Sequence, residues 1–263
     1  MTAVLNAVLV LAAIAAVCAL VLIVASKYMA VPVDEKFPAL REALPGAGCG
    51  ACGFAGCDGY AQALADGSET RVNLCIPGAD ATAAALAAVL GVEAEDVVEM
   101  CAYVKCNGNC ETAKHKYEYA GIESCSAANI LFNGEWLCKT SCLGYGDCEK
   151  ACPSEAIRVV NGVAKVIPQL CTGCGICTRT CPNKIIGLRR AVDKLIVACN
   201  NTDKGGQTRA ACSGGCIGCM KCQKNCPNGA ITVVDNLARI DYDKCTGCGV
   251  CVEGCPTKCL KLI

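Results

Sequence analysis

CTGCGVCVEGCP, residues 245–256, sets four cysteines in the pattern C-x2-C-x2-C-x3-C and closes on proline. The pattern returns as CTGCGICTRTCP at 171–182 and CIGCMKCQKNCP at 216–227. Three thiols at steps of three residues can wrap one loop around a cube of iron and sulfide. The fourth, after a longer gap, points to a neighbouring cube, which is the spacing of bacterial ferredoxins with two clusters. Proline ends the loop and removes a backbone donor. Paired CxxC motifs also hold zinc. Zinc rarely needs a third cysteine in the same run, and here the run occurs three times.

Working outward, a shift of 74 residues superimposes two stretches, 125–189 and 199–263. Cys171, Cys174, Cys177 and Cys181 fall on Cys245, Cys248, Cys251 and Cys255, and Cys152-Pro153 falls on Cys226-Pro227. Cys142 and Cys148 meet Cys216 and Cys222, while Cys125 and Cys138 meet Cys199 and Cys212. Tyr145 stands where the second copy has Cys219. Each copy also carries two short β-type runs about a turn: AIRVV and VAKV around Asn161-Gly162, AITVV and LARI around Asp235-Asn236. Such turns predict hairpins.

The crossed ligation of that spacing predicts specific sets. Cys216, Cys219, Cys222 and Cys255 form one, and Cys245, Cys248, Cys251 and Cys226 a second. Cys171, Cys174, Cys177 and Cys152 form a third. A fourth has Cys142, Cys148 and Cys181 but lacks its middle thiol, for which Cys138 is the best substitute. A fifth lies upstream in LPGAGCGACGFAGC (44–57), where Cys49, Cys52 and Cys57 precede Cys75. Its glycines permit positive φ and close backbone approach. A sixth is expected from Cys106, Cys110 and Cys125 with one of Cys101, Cys138, Cys199 or Cys212. Cys18 and Cys259 read as small hydrophobes. The expected cofactors are [4Fe–4S] clusters, at least five and by best count six.

Composition agrees. Of 263 residues 28 are cysteine and only one, His115, is histidine, which leaves little for His-based catalysis or metal binding. Lys+Arg and Asp+Glu are both 24, so no basic excess points to nucleic acid. Residues 34–123 are acidic on balance and 183–215 basic, so Lys184, Arg189, Arg190, Lys194, Lys204 and Arg209 suggest a patch that steers an acidic partner. The acidic stretch Glu93–Glu99 is expected to be a helix following Ala79–Leu90. The apolar run Ala3–Ala25, about 23 residues, suffices for a bilayer span. Lys27, Lys36 and Arg41 follow it and no Lys or Arg precedes it, which puts the C-terminal side in the cytoplasm. A reducing compartment favours metal over disulfides.

The ensemble of anchor, four-Cys motif and tandem ferredoxin repeat, with KCNGNC, KYEYAGIESCSAA and DKGGQTRAAC, resembles the B-subunit family of Rnf complexes in its anaerobic-bacterial form. The resemblance covers nearly the whole chain. It implies an iron–sulfur subunit of a membrane ferredoxin:NAD+ oxidoreductase coupled to Na+ or H+ transport. Electrons would come from soluble reduced ferredoxin and pass to other subunits of the complex. The implied location is the cytoplasmic membrane, single-pass, with the cluster domains on the cytoplasmic side. No G-x-G-x-x-G fingerprint is present, so nicotinamide and flavin chemistry falls to other subunits and no complete active site lies on this chain. The alternatives are a related complex that reduces a redox-sensing transcription factor and a membrane-anchored polyferredoxin.

The expected fold is α+β: a transmembrane helix at 1–27, a linker at 28–43 and a four-Cys domain at 44–100. A Cys-containing connector at 101–124, ferredoxin-like modules at 125–189 and 199–263, and a linker at 190–198 complete it.

Overall fold

Both hairpins form where the turn residues put them. A computed structural model describes residues 2–28 and 36–263. In it β2 (Ile157–Val160) pairs antiparallel with β3 (Val163–Val166), and β6 (Ile231–Val234) with β7 (Leu237–Ile240). Asn161 and Gly162 take φ of 57° and 76°, and Asp235 and Asn236 take 51° and 61°. Positive φ at both central residues is the type I′ geometry that matches strand twist. Gly144 and Gly218, equivalent in the repeat, press against these turns. A Cβ on either would stand 2.8 Å from the Gly162 carbonyl oxygen or 3.0 Å from that of Asn236.

A second strand pair completes each module, and it draws on segments expected to be connectors. β1 (Met100–Val104) pairs antiparallel with β4 (Ile186–Arg190), and β5 (Leu195–Val197) with β8 (Leu260–Leu262). The segments 101–124 and 190–198 therefore contribute a strand each to the modules. Hydrophobic side chains of both sheets meet cysteines in the cores: Ile157 and Ile186 with Cys142, Cys148 and Cys177; Ile231 and Leu260 with Cys216, Cys222 and Cys251. Ile157 and Ile231 are each 1% exposed, and truncation to Ala costs about 2–5 kcal/mol at such sites.

The four-Cys domain is helical. α2 (Phe37–Ala43) begins with a proline in its first turn and buries Leu40 against α3 (Cys57–Ala65) and α4 (Ala79–Leu90). This helix takes up part of the segment expected as linker. Tyr60 of α3 is fully buried, and its hydroxyl donates to the Arg71 carbonyl at 2.6 Å. α4 ends as expected, with Gly91 left-handed at φ 73°. The acidic helix after it does not form: residues 92–99 run as irregular chain into β1. Asp80 caps the Val97 N–H at 2.8 Å, Asn73 donates to Glu95 at 2.9 Å, and Val97 is buried. Those contacts hold the chain outside the helical path, and clustered like charges give a helix little support.

At the N-terminus α1 (Thr2–Tyr28) is a continuous helix of 27 residues. Its described apolar side chains, from Leu9 to Val24, are exposed. Among the described residues no helix is long and apolar enough to cross a membrane.

Candidate metal centres

Cysteines from separate loops converge on five recesses, and a sixth group of four lies in the N-terminal domain. Three of the recesses collect the sets that crossed spacing predicts. Cys216, Cys219, Cys222 and Cys255 line one of about 330 Å³, and Cys226, Cys245, Cys248 and Cys251 one of about 290 Å³. Cys152, Cys171, Cys174 and Cys177 line one of about 320 Å³. The short helices explain the crossing. α9 (Lys221–Asn225) carries Cys222 inward on one side and delivers Cys226 to the other, and α10 (Val250–Glu253) does the same for Cys251 and Cys255. α7 (Ile176–Thr180) relates Cys177 to Cys181 in the first module.

The remaining two recesses differ from expectation. Cys142, Cys148 and Cys181 are joined by Cys125, not Cys138, around about 340 Å³. The cause is a tertiary tether. Asp147, the first residue of α6 (Asp147–Lys150), accepts hydrogen bonds from the hydroxyls of Ser124 (2.9 Å) and Ser126 (3.1 Å) and from the Ser126 N–H (3.0 Å). This pins the start of α5 (Cys125–Ile130) beside Cys148. Tyr145, which replaces the missing cysteine, turns its hydroxyl to Glu135 at 3.2 Å. Cys138 instead joins Cys106, Cys199 and Cys212 around about 350 Å³ at the junction of the modules. Cys110 is exposed and lines none of the five recesses, so the grouping of Cys106, Cys110 and Cys125 is not the observed one. In the N-terminal domain Cys75 is buried, and its thiol is pushed up by burial and by the neighbouring Cys57, Cys52 and Cys49.

These recesses suit a cluster. Four thiols line each of four recesses, and the Cys216 recess has Cys259 as a fifth. Among the described residues no three His, Cys, Asp or Glu side chains gather closely enough for a single ion. Burial, with the neighbouring cysteines adding to it, pushes the thiols of Cys106, Cys148 and Cys177 up to about 12, so a cationic group is needed to hold them as thiolates. Backbone donors already point at ring sulfurs. Ala156 N–H reaches Cys152 Sγ and Ala230 N–H reaches Cys226 Sγ, both at 3.3 Å, and Ala102 N–H reaches Cys171 Sγ at 3.3 Å. Such bonds tune a cluster's potential.

Two thiols beyond the sets that spacing assigns do the same, Cys259 from within its recess and Cys101 from behind one. Cys259, expected to be a packing residue, lies 3.7 Å from Cys255 Sγ and is fully buried. Its thiol hydrogen-bonds Cys255 and Cys216, drawing them down to about 4 and about 6 while its own pKa rises. Cys101 acts similarly in the first module but on the other ring of the pair: its thiol hydrogen-bonds Cys171 and draws it down to about 5. The basic patch also needs correction. Arg189 is 3% exposed and its guanidinium binds backbone carbonyls. Arg190 forms a two-pronged pair with Asp193 (2.9 and 3.1 Å) and reaches Asp243. Neither is a free surface charge.

Comparison with known proteins agrees with this chemistry. A family described as an Fe-S cluster matches residues 44–77, and 4Fe-4S dicluster domains match 170–230 and 215–259. The B subunit of the Na(+)-translocating ferredoxin:NAD(+) oxidoreductase complex of Acetobacterium woodii is 43% identical, over 97% of this chain and 78% of its own length. Its counterpart in the proton-translocating ferredoxin:NAD(+) oxidoreductase complex of Clostridium ljungdahlii is 44% identical, over 86% of this chain and 80% of its own. The B subunit of the ion-translocating oxidoreductase complex of Methanosarcina acetivorans is 38% identical, over 98% and 97%. The bound groups are [4Fe–4S] clusters, and the chain belongs to the family of B subunits of ion-translocating ferredoxin:NAD(+) oxidoreductase, or Rnf, complexes.

Proposed function

We propose that this chain is the electron wire of such a complex, with six [4Fe–4S] clusters in one unbranched series. The ligand sets are the five rings and the Cys49, Cys52, Cys57, Cys75 group. The observation that carries this is how each set touches the next. Ile76, beside Cys75, lies against Gly173 in the Cys171–Cys174 loop, and the Arg179 guanidinium donates to the Cys49 carbonyl. α7 then leads from Cys177 to Cys181. Ser141 lines both the Cys142 and the Cys138 recess, and the Cys142 N–H donates to Cys106 Sγ at 3.4 Å. The Cys216 N–H in turn donates to the Cys199 thiol. α9 and α10 link the last two rings. Clusters supply the one-electron chemistry. The chain's residues hold them in order, exclude water and set their potentials.

Reduced ferredoxin enters at the C-terminal module, where the ligands Cys219 and Cys248 are exposed. Around Cys219 stand the exposed Met220, Lys221 and Lys224, an apolar contact rimmed with positive charge that suits an acidic carrier. Other subunits of the complex take the electrons from the far end. α1 is the single membrane anchor. The support for that reading is the apolar run Ala3–Ala25 within it. Lys27 at its end keeps the cluster domains in the cytoplasm. Chemical analysis of anaerobically purified full-length protein tests this reading. About 24 irons and as many sulfides per chain are expected, at four per cluster. About six or fewer would end it.

A further inference from the structure

We infer that Arg189, a cation buried without a carboxylate partner behind the Cys152, Cys171, Cys174, Cys177 ring, takes the cluster of that ring as its counter-charge. It thereby sets that cluster at a higher potential than its equivalent in the second module. The inference rests on the cluster assignment above.

Arg189 lies on β4 directly opposite Cys101 of β1. Directly opposed residues in an antiparallel pair project to the same face, with Cβ atoms about 4.5–5.5 Å apart. The Cys101 thiol meets Cys171, so the guanidinium stands behind a ring ligand. Its charge favours the thiolate of both Cys101 and Cys171. Nη1 donates to the carbonyls of Arg190 (3.0 Å), Ala191 (3.1 Å) and Asp193, while Nε has no partner at all. Asp193, the nearest carboxylate in sequence, is already held by Arg190. Among the described residues no Asp or Glu forms an ion pair with Arg189. The phenols of Tyr103 and Tyr242 also face its charge. A buried cation without a counter-ion is costly, and a ring of four thiolates holding a cubane is a dianion.

Reduction adds one electron to that unit, delivered from the neighbouring ring. No protein bond forms or breaks, no proton moves, and the dianion becomes a trianion. A fixed cation nearby favours the trianion. At the equivalent position the second module has no charge: the repeat places Ile263 there, and Ile263 is 43% exposed. Two rings that the repeat makes equivalent thus differ in the charge behind them.

The test is potentiometric titration of the full-length protein, followed by EPR and absorbance, in Arg189→Met and Arg189→Lys. In Arg189→Met one of the one-electron steps moves negative by at least about tenfold in its equilibrium constant, which is about 59 mV. The other steps stay in place, iron content is unchanged, and Arg189→Lys keeps most of the original potential. The inference is overturned if no step moves in Arg189→Met, or if Arg189→Lys falls as far. Should Arg189→Met lose iron, Arg189→Gln, which keeps an amide donor for the carbonyls, takes its place under the same criteria. Low iron in the unmodified protein would instead count against the cluster assignment itself.

Discussion

Cys125 and Cys138 offer a sharp test, because the structure exchanges the places that spacing gives them. Cys125 lines one recess with Cys142, Cys148 and Cys181, and Cys138 another with Cys106, Cys199 and Cys212. Replacing either by alanine leaves three thiolates for four irons. The unprotected corner iron is lost first, and the rest of the cube follows where solvent enters. Each single variant should therefore lose between about one and four irons from a total of about 24. The double variant decides. Two rings lose independently, so Cys125→Ala with Cys138→Ala should lose the sum of the two single losses, up to about eight irons. Cys110→Ala, at an exposed position outside the five recesses, should lose none. Iron and labile sulfide are counted on anaerobically purified protein, with EPR of the oxidised form to detect three-iron remnants. A double variant that loses no more than either single variant would mean that the two thiols share one ring, and the assignment would fall.

Other consequences are quicker to check. Gly144→Ala and Gly218→Ala place a Cβ at positive φ against a turn carbonyl, and each should cost about 1–3 kcal/mol in thermal or chemical unfolding. Gly206→Ala, in α8 (Gly205–Ala211) with open space around it, should instead gain about 0.5–1 kcal/mol. Cys259→Ala removes the thiol that hydrogen-bonds Cys216 and Cys255 but no ring member. It should keep its iron and move one redox step negative by up to about tenfold, about 59 mV; loss of about four irons would make Cys259 a ligand instead. Reversing Lys221 and Lys224 to Glu should slow electron uptake from ferredoxin about tenfold at low salt and much less at high salt. An unchanged rate and salt dependence would place the docking face elsewhere.

Local chemistry made much of this molecule readable. Asn161-Gly162 and Asp235-Asn236 dictate their turns, and the alternating residues beside them dictate which face is buried. The C-x2-C-x2-C-x3-C-P runs carry their own geometry, so three recesses hold the cysteines that spacing assigns them. What spacing missed depends on tertiary contact. Cys125 reaches its ring because Asp147 grips Ser124 and Ser126. The junction ring takes Cys106, Cys138, Cys199 and Cys212 from four distant loops, with no local pattern to mark them. Arg189 and Arg190 look like surface charge in a basic stretch. Strand pairing turns one inward beside Cys101, and Asp193 neutralises the other. The acids at 93–99 fit a helix by composition, but the Asp80 cap and the run into β1 hold them out of it.

The central claim is an unbranched series of six clusters held by the ligand sets named above. Iron-specific anomalous density from the full-length protein tests it most directly. The account predicts six four-iron peaks, one in each set, in the order Cys75, Cys171, Cys142, Cys138, Cys216, Cys245, with Cys125 bound and Cys18, Cys101, Cys110 and Cys259 unbound. No iron at the Cys106, Cys138, Cys199, Cys212 junction would break the wire in the middle and contradict it.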